Sequence, residues 1–333
     1  MKPVLSAALL GASVGVAAAP PQWQTLASMP IGVQEIYPAA HRGRIVVAGG
    51  LSSELPAAAG HLTNALQIYE PMHDRWSLGP ALPEGRHHAQ LLSLGDTLYL
   101  IGGFVRCAQG DWCASRDLLA LKDGGTQWLR LADLPEAVTE SGAFVLDGEL
   151  HLVSGRSPRG AANGQWGDHA DVDGHWVFNP ERASWRRLSP GPERKSSAAT
   201  ALFQGQPYLV GGRHYNGANL SSVHRLDPAS GRWLPEAPLA FAQAAHGLGM
   251  LGEWLCSLGG EFAEQGGGVL AQVQCLDATE GRWSVVTEMP EPRHGLGVVS
   301  LDRRLYVLGG ARKPGLSQTS ARVDRLSLST GRP

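Results

Sequence analysis

Two independent residue series in this chain advance with one shared, irregular period. Gly-Gly pairs close apolar segments at Gly49-Gly50, Gly102-Gly103, Gly211-Gly212, Gly259-Gly260 and Gly309-Gly310, with Ser154-Gly155 as a degenerate member; the steps are 53, 52, 57, 48 and 50 residues. Trp23, Trp76, Trp128, Trp185, Trp233 and Trp283 advance by the same 53, 52, 57, 48 and 50. A fixed repeat of this length constrains a fold more than local propensity does, because each unit must bury its apolar face on its neighbours. Gly and Pro, 43 and 22 of 333 residues, argue against long helices.

Each unit reads as four short strands. They are an apolar stretch such as HHAQLLSL, a second ending in Gly-Gly such as TLYLIGG, a third such as ALQIYEP, and a fourth opening at Trp. Turn residues separate them, as at Leu94-Gly95-Asp96, Asp147-Gly148 and Asp227-Pro228. With Gly-Gly after an apolar strand, the Tyr of LYLIGG and LYVLGG, and the Asp-x-x-x-Gly-Arg-Trp of Asp227 to Trp233 and Asp277 to Trp283, the chain resembles the kelch-repeat β-propellers. The last unit reads LSLSTGRP where earlier units continue to Gly-Arg-Trp, so it lacks a fourth strand. The segment Gln22 to Ala27, carrying Trp23, is expected to supply it by pairing with Val323 to Leu328. The expected fold is therefore all-β: a six-bladed kelch-type propeller closed by the N-terminal strand, with no open sheet edge.

Met1-Lys2, an apolar Ala-rich run from Val4 to Ala19 and then Pro20-Pro21 match a secretory signal, with cleavage expected after Ala18. Residues 1–18 are thus expected to be the signal peptide and 19–333 a single propeller. The protein is expected in the periplasm or secreted, with no membrane span in the mature chain. Four cysteines suit two disulfides in that compartment. Three connectivities are open; Cys107 with Cys113 and Cys256 with Cys275 require the least rearrangement. Lys and Arg total 28 against 30 Asp and Glu, with no block of like charges, so nucleic acid is not an expected partner.

The kelch resemblance implies a ligand site at one mouth of the central channel. Counting back 14 residues from each Gly-Gly aligns the innermost strands and returns Glu35, His88, Glu140, Ser197, Ala245 and Gly295. The residues after the pairs are Leu51, Phe104, Arg156, Arg213, Glu261 and Ala311, with Arg312 and Lys313 following the last. Arg86-His87 and Arg293-His294 recur at corresponding positions. Arginine forks bind carboxylate in bidentate fashion, so Arg86, Arg156, Arg213, Glu261, Arg293, His294 and Arg312 are candidate ligand contacts.

The exported bacterial plan resembles the sialic acid mutarotases (N-acetylneuraminate epimerases), which open and reclose a pyranose ring. That resemblance implies Glu140 or Glu35 as base and His88 as acid, with no cofactor or metal. Asp168, His169, Asp171, Asp173 and His175 cluster in sequence, but no Glu stands where it would close a calcium loop. The expected partner is a small acidic or amino sugar. The alternative is a noncatalytic module that grips an exported protein or wall polymer, with Phe104, Trp112, Trp166 and Phe262 as its apolar contacts.

Overall fold

A computed structural model describes residues 21–108, 110–262 and 267–328; the leader-like segment 1–18 lies outside them. Six four-stranded antiparallel sheets follow one another along the chain. The first comprises Ala39–His41, Arg44–Ala48, Leu66–Glu70 and Arg75–Leu78. The second comprises Gln90–Leu94, Thr97–Ile101, Leu118–Lys122 and Leu129–Arg130, and the third Gly142–Leu146, Glu149–Pro158, His169–Asn179 and Ser184–Arg187. The fourth is built from Ala199–Phe203, Gln206–Val210, Val223–Asp227 and Arg232–Glu236, and the fifth from Gly247–Leu251, Trp254–Leu258, Gln272–Asp277 and Arg282–Glu288.

The sixth sheet takes Gly297–Leu301, Arg304–Leu308 and Val323–Leu328 from the end of the chain and its fourth strand, Pro21–Thr25, from the beginning. Trp23 lies opposite Leu326 in that pairing, and Thr25 Oγ1 donates to Asp324 Oδ1 at 3.0 Å. Within the described residues the only helices are two single 3-10 turns.

The hydrophobic core is divided among the gaps between sheets. One cluster joins Ile45, Val47 and Tyr69 of the first sheet to Tyr306, Leu308 and Val323 of the sixth. Equivalent clusters lie between each further pair of successive sheets, as where Leu98 and Leu100 meet Val46 and Leu66, or Phe144 and Val153 meet Leu209 and Leu226. The periodic tryptophans stitch the same gaps. The indole N–H groups of Trp76, Trp128, Trp185 and Trp283 donate to the carbonyls of Ala27, Pro80, Ala132 and Ala237, each on the strand or loop of the preceding unit, at 2.9 to 3.1 Å.

The Gly-Gly pairs end the second strands where backbone crowds backbone. Gly102 and Gly103 have φ of +62° and +84°, and a Cβ on Gly103 would sit 2.6 Å from the His87 carbonyl oxygen. Only glycine meets both demands without strain. Both sequence-expected disulfides form, Cys107–Cys113 closing the hairpin of Phe104–Cys107 and Gly110–Ala114, and Cys256–Cys275 joining neighbouring strands of the fifth sheet. No helix among the described residues is long and apolar enough to cross a membrane.

Candidate functional site at the axial mouth

Glu35, His88, Glu140, Ser197, Ala245 and Gly295 are equivalent in three dimensions as well as in sequence. All six adopt left-handed backbone, with φ between 50° and 56°. The amides join them across sheets: His88 N–H donates to Glu35 O, Glu35 to Gly295, Gly295 to Ala245, Ala245 to Ser197 and Ser197 to Glu140, at 2.6 to 3.1 Å. One residue earlier in each unit, Gln34, His87, Thr139, Ser196, Ala244 and His294 pair with Leu51, Phe104, Arg156, Arg213, Glu261 and Ala311, the residues that follow the glycine pairs. Two tiers of side chains therefore surround one axis, and charged residues occupy both.

Between them lies a cavity of about 500 Å³ whose lining includes Glu35, His88, Glu140, Arg213, Glu261 and His294. Its polar groups are linked into one network. His88 Nε2 is 2.8 Å from Glu35 Oε2, and His294 Nδ1 lies 3.5 Å from Glu35 Oε1 and 3.4 Å from Glu261 Oε2. Arg213 donates to Glu261 Oε1 at 2.5 Å and to Glu140 Oε2 at 3.4 Å. Glu140 also accepts from Arg156 Nη1 at 3.3 Å and from the Ser197 hydroxyl at 2.5 Å.

Burial alone would raise the Glu35 pKa, but the His88 imidazole, hydrogen-bonded to it, holds it well below the usual carboxylate range. Glu140, fully buried, is likewise driven the other way by Arg213, His88, Arg156 and the Ser197 hydroxyl, down to about 2. Burial pushes the His88 imidazole down, yet the Glu35 carboxylate outweighs it and the net shift is upward. Its neighbour His87 is depressed by burial and by His88. Their Nδ1 atoms lie 2.7 Å apart, close enough to share one proton. The site accordingly sets an imidazole whose proton is held more tightly than usual beside ionised carboxylates, the complement needed to deliver one proton and accept another.

Aromatic rings form the outer wall. Phe104, Trp112 and Trp166 line the cavity with His87 and His169. Trp166 sits on the loop between Glu149–Pro158 and His169–Asn179, the two longest strands, and its ring lies 3.3 Å from the Arg156 guanidinium carbon, a cation–π contact. Asn163 of the same loop exchanges two hydrogen bonds with the Ala114 backbone, at 2.9 and 3.0 Å, tying this arm to the disulfide hairpin. Phe104, Trp112 and Trp166, expected from sequence as contacts for a protein or polymer partner, wall a cavity. His87, His169 and Tyr215, whose ring also faces Arg156, are not among the ligand contacts expected from sequence. For His87 the signal is position, immediately before His88; His169 and Tyr215 lie in segments that no repeat position marks.

The remaining arginines lie elsewhere. Arg86 and Arg293 are fully buried and reach between strands, Arg86 to Asp117 Oδ2 at 2.8 Å and the Gly102 carbonyl, Arg293 to Asp324 Oδ2 at 3.2 Å and the Gly309 carbonyl. Two residues before a left-handed tier member, the side chain turns away from the axis toward the third strand, so these are latches within the sheets and do not line the cavity. Arg312 is half-exposed, 4.0 Å from Glu291, and is also outside the cavity lining. The acidic loop residues disperse: Asp168 accepts the Gln165 N–H, His169 meets Asn163 and Asp171 accepts the Tyr215 N–H. Phe262 lines a separate recess with Arg213 and Asn219.

Searched against family models, the chain matches none. It is similar to β-scruin of Limulus polyphemus, 23% identical over 306 residues covering 87% of this chain and 32% of scruin. Mouse kelch-like protein 35 is 25% identical over 258 residues, covering 76% of this chain and 40% of that protein. The kelch-like protein terF of Aspergillus terreus is 23% identical over 312 residues, 90% of this chain and 67% of its own length. The chain thus spans about a third of scruin and two-fifths of the mouse protein. The solved structure of YjhT superposes with a TM-score of 0.77 over 92% of this chain and 99% of that one, at 16% identity. This chain is a kelch-type β-propeller. In the propeller, the Gly-Gly and Trp series are the scaffold's signature, and the two tiers at the axis are what it individualises.

Proposed function

We propose that the six sheets are the blades of a single ring closed by Pro21–Thr25, and that this exported propeller binds a small sugar in its axial mouth. The observation that carries the reading is the cavity itself: aromatic faces on one side and ionised carboxylates with an imidazole on the other. Aromatic rings pack on the C–H faces of a pyranose, while carboxylates accept from its hydroxyls. Export is supported by the leader-like N-terminal segment and by two disulfides, which persist in oxidising compartments.

Catalysis on such a ligand is ring opening of the mutarotase or epimerase kind. Glu140 or Glu35 takes the proton of the anomeric hydroxyl, the bond from the anomeric carbon to the ring oxygen breaks, and His88 protonates that oxygen; reclosure on the other face reverses each transfer. Arg213, partly exposed in the cavity, and Glu261 and His294 contact the sugar, while Arg156 is held behind them by Trp166.

A thermal-shift panel of neutral, amino and acidic monosaccharides tests binding, since a ligand for the folded state raises its melting temperature by mass action. A saturable rise that disappears in Trp112→Ala supports the reading, and a flat panel removes it. Anomeric exchange followed by NMR tests the chemistry separately. Trp166, 51% exposed at the mouth, favours one second reading, a noncatalytic grip on a protein or wall polymer, which a flat panel would leave standing.

A further inference from the structure

We propose that the sugar taken by this site carries an amine and no carboxylate, its ammonium seated among Glu35, Glu261 and His294. The inference rests on the sugar-site reading and narrows it. Both guanidiniums at the cavity are already engaged, Arg213 between Glu261 and Glu140, Arg156 between Glu140 and the Trp166 ring and carbonyl. A ligand carboxylate would have to draw Arg213 away, leaving a buried glutamate without its counter-charge. Sequence alone makes these arginines anion contacts, because it does not show that glutamates already occupy them.

The opposite demand is present at His294. This side chain is 1% exposed and lines the cavity. Its Nε2 lies 2.9 Å from the Lys313 carbonyl, which can only accept, so Nε2 carries the proton. Its Nδ1 has no hydrogen-bond partner and faces Glu35 Oε1 and Glu261 Oε2 at 3.5 and 3.4 Å. In the neutral ring Nδ1 is an acceptor, so three acceptors converge on one point. An ammonium brings three N–H donors in a compact head, and the aromatic wall of Phe104 and Trp112 adds faces that attract a cation.

The full chain is titrated calorimetrically with D-glucosamine, D-glucose and D-glucuronate at a pH where the amine is charged. Glucosamine is expected to bind at least about ten-fold more tightly than glucose, with glucuronate the weakest, as a charge-assisted contact requires. In Glu261→Gln the glucosamine-to-glucose preference should collapse to within about three-fold and glucuronate should gain relative to glucose, because Arg213 is released. Glucuronate as the tightest ligand of the unaltered protein would overturn the amine assignment and leave the sugar site in place. Binding of none of the three by protein with an intact melting transition would overturn both. A glucosamine preference that survives both Glu261→Gln and Glu35→Gln would overturn the seat.

Discussion

At the residue scale, two kinds of buried arginine look alike in sequence and behave differently. Arg86 and Arg293 pair with the buried carboxylates Asp117 and Asp324 inside sheets. Breaking such a pair leaves a bare charge, so Arg86→Ala is expected to lower unfolding stability by about 3 kcal/mol or more in urea denaturation. Ligand affinity of the folded protein should not move; a parallel loss would return Arg86 to the site. Histidine titration gives a second expectation. His246 is buried, hydrogen-bonded to Ser257 and the Val210 carbonyl, and pushed by burial from 6.5 down to about 4. Burial likewise lowers His151 to about 4 and His175 to about 3. Above the ordinary value all three are neutral folded or unfolded and contribute nothing to pH dependence. Between 6.5 and 4 the unfolded chain binds protons that the folded chain refuses, so stability falls as pH falls. The slope approaches about 1.4 kcal/mol per pH unit per histidine. Urea midpoints between pH 7.5 and 4.5 should decline in that window and flatten in His246→Gln. Glu35 and Glu140, depressed from 4.5, act in the same direction at lower pH: their contribution is intact above 4.5 and is lost only as pH drops toward their folded values.

At the element scale, the outer wall of the cavity depends on two loops that support each other. The disulfide hairpin of the second unit carries Trp112, whose indole N–H donates to the Gly60 carbonyl at 2.8 Å, and Asn163 of the third unit is bound to its strand at Ala114. Cys107→Ser is expected to lower stability by about 2 kcal/mol from loop entropy and to weaken sugar binding further by loosening Trp112. Native-state alkylation after mild reduction should label Cys107 and Cys113 well before Cys256 and Cys275, which are buried in the fifth sheet. Much of this level was legible. The step of the Gly-Gly and Trp series located all six equivalent axial residues, because a 14-residue offset is preserved wherever hairpin geometry repeats. The orientation of Arg86 was not, since it depends on whether a side chain two positions from a left-handed residue turns toward the axis or toward Asp117. The wall was missed for a related reason: Trp166 reaches the mouth only because the third unit's hairpin is longer than the rest, and no period speaks for an irregular insertion.

At the scale of the whole molecule, stability resides in gaps between sheets, each filled by side chains from two neighbours. The sixth sheet is complete only because Pro21–Thr25 covers the Val323–Leu328 edge, with Leu26 and Met29 buried beside it. Removing residues 21–29 is expected to expose that edge and yield dimers or larger species by size exclusion with light scattering. A monomer of unchanged melting temperature would refute this latch. The six left-handed residues at the axis carry one more implication. Their main chain knits neighbouring sheets, and three of them, Glu35, His88 and Glu140, line the cavity as well. A β-branched residue would be strained at that φ, and at Gly295 any Cβ would meet Glu35 at 2.7 Å. Ligand preference can therefore be rewritten at three positions whose backbone the ring of amide hydrogen bonds already holds.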